Sequence, residues 1–328
     1  MQFLYNPSLD IIKTDWPGNA FDGTEFQYAD HAFRPDWRKL WRWQTGSNPQ
    51  RAEKKADNWR PEVSQDHSYL HSSDDYIVWL GHASFLIQLG GVRLITDPVL
   101  FDLPFIPRKV QLPYPIPQIR DLDYILVSHD HRDHCDKKSI KTLLQNNRPK
   151  KLLTSLKLST IIGSWAGDTP IEEAGWYQRY KMPPTEPEIF FLPARHWCRR
   201  GLLDFNRRLA GSFLIRYQGK TIYFGADSGI GTHFREIGQL FPSIDLALLG
   251  IGAYSPDYMM QEIHTNPEEA KQAFEMLGAK QLIPMHYGTY DLSDEPISEP
   301  YHRVGALFSD NGQEEKLVRL GVGDVFYL

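Results

Sequence analysis

Residues 128–136 read "SHDHRDHCD", three histidines and three aspartates in nine positions. Imidazole nitrogens and carboxylate oxygens are donors for zinc, and equally for manganese or iron. His129 and His131, two apart, can point the same way from an extended turn, while Asp133 and His134 lie on the next bend and can face a second ion. One ion cannot use all four comfortably, so the spacing asks for two metals side by side. Further donors stand at other strand ends: His196 in "PARHWC", Asp227 in "FGADSG" and His286 in "IPMHYGT", each just past an apolar run. The chemistry such a set supports is the activation of water for hydrolysis.

Donors scattered over 158 positions meet only if strands deliver them to a common edge. From Tyr76 onward, β-branched and aromatic runs follow in quick succession: "YIVWL", "SFLIQL", "VRLIT" and "YILVS". Gly90 and Gly91 sit between two of these, as a tight hairpin requires. After His134 comes a helical stretch, "DKKSIKTLLQNN", with Asp136 placed to cap it. The pattern returns with "EIFFLP", "GSFLIRY", "KTIYFGA" and "DLALLG" as strands and "GTHFREIGQLF" as a helix. "NPEEAKQAFEML" has Asn266 at its cap, Pro267 first and Glu269 three beyond the cap, which predicts a helix, and "KQLIPMH" predicts a strand running into His286. Two sheets with helices outside, an α/β sandwich spanning residues 71–328, is the expected architecture.

Residues 1–70 read differently. Five tryptophans (Trp16, Trp37, Trp41, Trp43, Trp59), scattered prolines and poor periodicity predict an extension packed across the main domain, with one helix in "RPDWRKLWRWQ". The tryptophans are expected as anchors to the domain surface, with a lid or lipid-contacting role as the alternative. No amphipathic helix suited to a membrane surface is expected there.

The 328 residues are 41% hydrophobic, enough for a proper core, and the net charge of −5 argues against a general nucleic-acid binder. Cys135 and Cys198 form no CxxC pair, so neither a disulfide framework nor a structural zinc knot is expected, and a reducing cytoplasm fits. The start, "MQFLYNPSLD", lacks the pattern of a signal peptide, and nowhere do eighteen apolar residues run together.

The string "HxHxDH" followed by a His, an Asp and a His resembles the metallo-β-lactamase superfamily. The resemblance implies an αββα sandwich of two mixed sheets, one metal held by His129, His131 and His196, the other by Asp133, His134 and His286, and Asp227 bridging. Two such cations, about 3.5–4 Å apart, share a water, lower its pKa toward neutrality and hold a phosphoryl or carbonyl oxygen for attack. Hydroxide is then the nucleophile, and Asp133 is a candidate to orient it or take its proton.

Further strings at 78–99, 196–215, 250–270 and 284–292 resemble the N-acyl-phosphatidylethanolamine-hydrolysing phospholipase D family over about residues 76–292. That family releases an N-acylethanolamine and phosphatidic acid with a dinuclear zinc centre at a membrane surface. The resemblance implies that His264 in "QEIHTNPEEA" binds a phosphoryl oxygen or protonates the leaving alkoxide, the plainer alternative being a hydrogen-bonded histidine before a helix. Asp97 in "TDP" is placed to hold an imidazole N–H behind the ligands; His82 in "GHAS" does similar work or is an ordinary buried histidine. Tyr254 is expected to overhang the pocket, and Met259 and Met260 to line a lipid groove or pack in the core. Arg199, Arg200, Arg207 and Arg208 flank the His196 loop and are read as solvated, with no catalytic role.

The expected enzyme is thus a phosphodiesterase with two divalent ions, zinc first and manganese or iron next, acting on a phospholipid or small molecule. It is placed in the cytoplasm with peripheral membrane contact, and a homo-oligomer is compatible with its aromatic content. A lactonase resembling the ascorbate-6-phosphate branch keeps the metals and changes the bond; a binding module without chemistry is the third reading.

Overall fold

A computed structural model describes residues 1–28 and 33–328; within the N-terminal stretch, residues 29–32 lie outside the described residues. The chain begins with Gln2–Leu4 (β1), Asp10–Ile11 (β2) and Asn19–Phe21 (β3), then helices Trp37–Thr45 (α1) and Arg51–Ala56 (α2). Next come Tyr76–Trp79 (β4), Phe85–Leu89 (β5), Val92–Thr96 (β6), Tyr124–Val127 (β7), Lys137–Asn146 (α3), Lys151–Ser155 (β8), Ser159–Ala166 (α4) and Ile171–Ala174 (β9). The second half runs Gln178–Arg179 (β10), Glu188–Leu192 (β11), Ser212–Tyr217 (β12), Lys220–Phe224 (β13), His233–Leu240 (α5), Leu246–Gly250 (β14), Asp257–Met260 (α6), Pro267–Leu277 (α7), Gln281–Met285 (β15), Glu299–Ser309 (α8) and Val325–Tyr327 (β16).

Local chemistry sets the turns and caps. Gly90 (φ 57°) and Gly91 (φ 78°) both take the left-handed conformation that a two-residue hairpin turn needs, and Leu89 pairs with Val92 across it. The Asp136 carboxylate accepts the Ser139 N–H at 2.8 Å and starts α3. Asn266 and Glu269 close a reciprocal capping box on α7, and Gly278 ends the helix at φ 62°.

Strand alternation then decides what each sheet covers. Ile77, Trp79, Phe85, Ile87, Leu94, Tyr124 and Leu126 belong to the core between the sheets, where Phe85 meets Phe224 with ring centroids 6.4 Å apart. Their neighbours Val78, Leu86, Ile95, Ile125 and Val127 point the other way, onto Ile140 and Leu143 of α3 and Ile162 of α4. Phe234, Ile237, Ala270 and Phe274 bring α5 and α7 to the second sheet, completing an αββα sandwich. Both cysteines are buried and free.

The first sheet has the order β16-β4-β5-β6-β7-β8-β9, antiparallel to β6 and parallel beyond it. The second runs β15-β14-β13-β12-β11-β10-β2, with β13, β14 and β15 parallel and the rest antiparallel. It follows that β4, β6 and β7 share one direction, as do β11, β13, β14 and β15. Their carboxyl ends run into His82, Asp97 and His129 from one sheet, and His196, Asp227 and His286 from the other, which is where α/β sheets keep their sites.

The N-terminal stretch reaches the sandwich through β2, which pairs with β10 at a sheet edge. Trp16 packs on Trp176 and Tyr177, and Trp59 on Tyr287 and Tyr301, as anchors do. Trp37 and Trp41 differ. They are 71% and 63% exposed on α1 and share one face with exposed Leu40, so the helix expected in this stretch forms and, contrary to expectation, presents an apolar face to solvent.

Candidate metal centre

The strand ends bring every expected ligand into one cluster. His129, His131, His196 and Asp227 each offer a donor atom within 4.8 Å of the others, and His82, Asp133, His134 and His286 form a second such group. Asp227 stands between them: its Oδ2 lies 3.0 Å from His134 Nε2, 3.7 Å from His196 Nε2 and 3.9 Å from His129 Nε2, and its Oδ1 lies 3.1 Å from His286 Nε2. Asp133 Oδ2 is 3.5 Å from His286 Nε2 and 3.7 Å from His134 Nε2.

Hydrogen bonding separates the inward atoms from the outward ones. The Nε2 atoms of His129, His134 and His286 and Oδ1 of Asp227 are buried without a hydrogen-bond partner among the described residues, and His131 Nδ1 faces His196 Nε2 at 3.0 Å. Buried polar atoms converging without hydrogen-bond partners are costly unless a cation takes them up. The donor set therefore fits divalent metal. On the far side of the rings, His134 Nδ1 meets Asp97 Oδ2 at 2.8 Å, His196 Nδ1 meets the Ile263 carbonyl at 2.9 Å, and His129 Nδ1 meets Ser128 Oγ at 2.9 Å. These bonds fix ring orientation and leave the other nitrogen for an ion.

Backbone conformation contributes to the same end. His82 (φ 54°), Asp97 (φ 32°), Ala226 (φ 50°) and His286 (φ 62°) all have positive φ, a strain that surrounding packing must hold in place. Gly252 is required where its loop crosses His286, because a Cβ there would come within 2.3 Å of the His286 carbonyl oxygen.

The electrostatics are those of buried, opposed charges. Burial lowers the pKa of His82 to about 3, helped by the neighbouring His286, and burial lowers His264 to about 4. His286 is raised to about 9 against its burial, because Asp227 and Asp133 favour its charged form. Despite burial, Asp133 and Asp227 are held well below the usual carboxylate range by His134 and its neighbours. Burial raises Asp97, with His134 and Ser128 opposing.

The remaining candidates divide. His82 Nε2 lies 3.1 Å from Asp133 Oδ2, and the His82 carbonyl accepts the His286 N–H at 3.1 Å, so His82 sits against the second group. His264 lies beside the cluster, its Nδ1 3.9 Å from Asp227 Oδ2 and its ring 5.2 Å from those of His196 and His286. Tyr254 turns its hydroxyl to α8, donating to Glu299 at 2.6 Å, and Arg303 covers its ring. Met260 is buried and Met259 half-buried. Arg200 and Arg208 are not solvated either: Arg200 donates to the carbonyls of Asp130 (2.8 Å) and Cys135 (2.7 Å), and Arg208 is an ion-pair partner of Asp130 and Asp204. Sequence reasoning passed over Asp130 and Ser128, both fully buried; the one available signal was their position beside His129.

Residues 93–287 match the model of the beta-lactamase superfamily domain. The chain is 31% identical over 267 residues to N-acyl-phosphatidylethanolamine-hydrolyzing phospholipase D 1 of Caenorhabditis elegans, covering 76% of this chain and 75% of that protein. It is also 31% identical over 252 residues to the mitochondrial N-acyl-phosphatidylethanolamine-hydrolyzing phospholipase D of Saccharomyces cerevisiae, where it spans only 53% of the relative. Among solved structures, the isothiocyanate hydrolase from Delia radicum gut bacteria superposes with a TM-score of 0.62 at 18% identity, covering 77% of this chain and 98% of that one, a likeness of fold.

Proposed function

The chain belongs to the beta-lactamase superfamily and, within it, to the family of N-acyl-phosphatidylethanolamine-hydrolysing phospholipases D, and from that membership we propose a dinuclear hydrolase that cleaves the phosphodiester of N-acyl-phosphatidylethanolamine or a related phospholipid. That it is a metal-dependent hydrolase follows from the family; the number of ions and the bond cleaved are our reading. The observation that carries the reading is Asp227 standing between two groups of inward-facing donors, with 3.0 and 3.1 Å to a histidine at each of its oxygens.

His129, His131 and His196 would hold one ion, Asp133, His134 and His286 the other, and Asp227 both. Such ions supply Lewis acidity, lowering the pKa of a water and polarising the phosphoryl oxygen. Nitrogen and oxygen donors suit zinc first, with manganese and iron as alternatives. Asp133, held by His82 and partly open to solvent, is placed to orient the attacking water and accept its proton. His264, kept neutral by burial, is suited to donate an N–H to a phosphoryl oxygen rather than to deliver a proton as an imidazolium.

A lipid substrate gains support from the face of α1. Trp37, Leu40 and Trp41 are exposed among Arg38, Lys39 and Arg42, an apolar strip with a basic border of the kind that enters an anionic lipid interface. Arg42 stacks on Tyr258 of α6, 4.2 Å from its ring centroid, and α6 leads directly to His264. The strip thus adjoins the rim of the candidate centre. No helix among the described residues is long and apolar enough to cross a membrane, so the contact we propose is peripheral.

The test is to incubate metal-loaded protein with N-acyl-phosphatidylethanolamine in mixed micelles and follow N-acylethanolamine and phosphatidic acid by mass spectrometry. Both products should appear, and Asp133→Ala should slow them by on the order of 100-fold or more. Turnover of lactones without turnover of the phospholipid would replace this reading with the ester-hydrolase one.

A further inference from the structure

The first donor group draws its ligands from opposite sheets. His129 and His131 lie on the loop after β7, and His196 on the loop after β11, yet His131 Nδ1 and His196 Nε2 stand 3.0 Å apart. Something must hold the two loops at that spacing, because a shift of a few tenths of an ångström is enough to spoil a coordination sphere.

Asp130 lies between the two histidines in sequence and is completely buried. One of its carboxylate oxygens accepts the Arg199 N–H at 2.9 Å, from the loop that carries His196. The other pairs with the guanidinium of Arg208, itself 7% exposed, and the Asp130 carbonyl takes a third bond from Arg200. Arg208 is gripped in turn by Asp204, whose carboxylate also accepts the Gly201 N–H at 2.7 Å and the Arg200 N–H at 3.2 Å. The 196–208 loop is therefore wound around Asp204 and pinned to the metal-bearing loop at Asp130. The second group also takes ligands from both sheets but is held differently: Asp97 and His82 hold His134 and Asp133, and the His82 carbonyl accepts the N–H of His286 at 3.1 Å.

We infer that Asp130 and Arg208 are positioning residues that set the spacing of His196 against His129 and His131, and so control the affinity of the first ion independently of the second. The inference rests on the two-ion reading above.

Cobalt(II) titration, followed by visible absorption and by metal content after dialysis, tests it on the full chain. Wild type should take up two ions. Arg208→Met should weaken one of them by about 10–100-fold, the range seen when an outer partner of a ligand is lost, and leave the other within about threefold. Arg208→Lys, which keeps the charge but not the fork, should recover part of the loss. Asp130→Leu combined with Arg208→Met removes the buried charge altogether; it should regain thermal stability without regaining the weakened ion. Equal weakening of both ions, or a lower melting temperature with both affinities unchanged in Arg208→Met, would overturn the inference. Should wild type bind a single ion, the two-ion reading fails, and the inference then stands or falls on whether that ion weakens in Arg208→Met.

Discussion

The two donor groups sit side by side and share Asp227, but they are held in different ways. Behind the second group are side chains at first-sheet strand ends, Asp97 on His134 and His82 on Asp133, both buried, while its His286 comes from the second sheet and donates its N–H to the His82 carbonyl. Behind the first are a hydroxyl, a backbone carbonyl and an ion pair between loops: Ser128 on His129, Ile263 on His196, and Asp130 with Arg208. The second group is thus held by residues at strand ends, whereas the first also depends on bonds from the 196–208 loop to Asp130 that span 69 to 78 residues of chain. A two-ion site built this way has one position set by residues at strand ends and one that can be tuned through the 196–208 loop.

The largest expected effect removes what the groups share. Asp227→Ala deletes the carboxylate that faces His134, His196 and His129 with one oxygen and His286 with the other. Four buried imidazoles then lose the carboxylate they face. Both ions should weaken by more than about 100-fold, beyond the range for outer partners, and hydrolysis should be lost with them. Metal content after dialysis measures this, and retention of one tightly bound ion would show that the groups do not share Asp227 as the distances suggest.

An intermediate effect comes from Asp97. Its Oδ2 accepts from both His134 Nδ1 (2.8 Å) and Ser128 Oγ (2.6 Å), and its Oδ1 accepts the Ser128 N–H at 2.7 Å. An amide has one acceptor oxygen for these three donors, so Asp97→Asn must present an N–H to one of them. Isothermal titration should show the second ion weakened by roughly 10–100-fold and the first by less, since Asp97 reaches His129 only through Ser128. Equal losses would blur the distinction between the groups.

How much of this could be read from residues alone depended on distance along the chain. His129 and His286 each follow an apolar run short enough to be a strand, "YILV" and "QLIPM", so their place at a strand end was legible, and so was α7 from Asn266, Pro267 and Glu269. The strands β2 and β16 were not, because two or three residues carry no periodicity and their pairing with β10 and β4 is a tertiary choice. The partner of Tyr254 was hidden for the same reason: Glu299 lies 45 residues away, and nothing local says which way the phenol turns. Asp130 was hidden in plain view. A string of potential ligands draws attention to every member alike, and only the fold shows that this one turns from the ions toward Arg208. The exposure of Trp37 and Trp41 is likewise a fact about what does not cover α1, which a helical pattern cannot report.

The smallest expected effect sharpens the comparison most, because it touches one support and leaves its neighbours. Ser128 is fully buried; its hydroxyl donates to Asp97 and meets Nδ1 of His129, while its backbone N–H holds Asp97 independently. Ser128→Ala therefore leaves Asp97 on His134 but frees the His129 ring to rotate, with one buried N–H unpaired. The cost to folding should be about 1–3 kcal/mol, read as a modest fall in denaturant midpoint. The cost to metal should fall on one ion alone, about tenfold at the low end of what an outer partner supplies. If Ser128→Ala instead weakens both ions alike, the hydroxyl acts through Asp97, and the two groups have a single support. A selective loss would place Ser128 with Asp130 and Arg208, all three serving the ion of His129, His131 and His196.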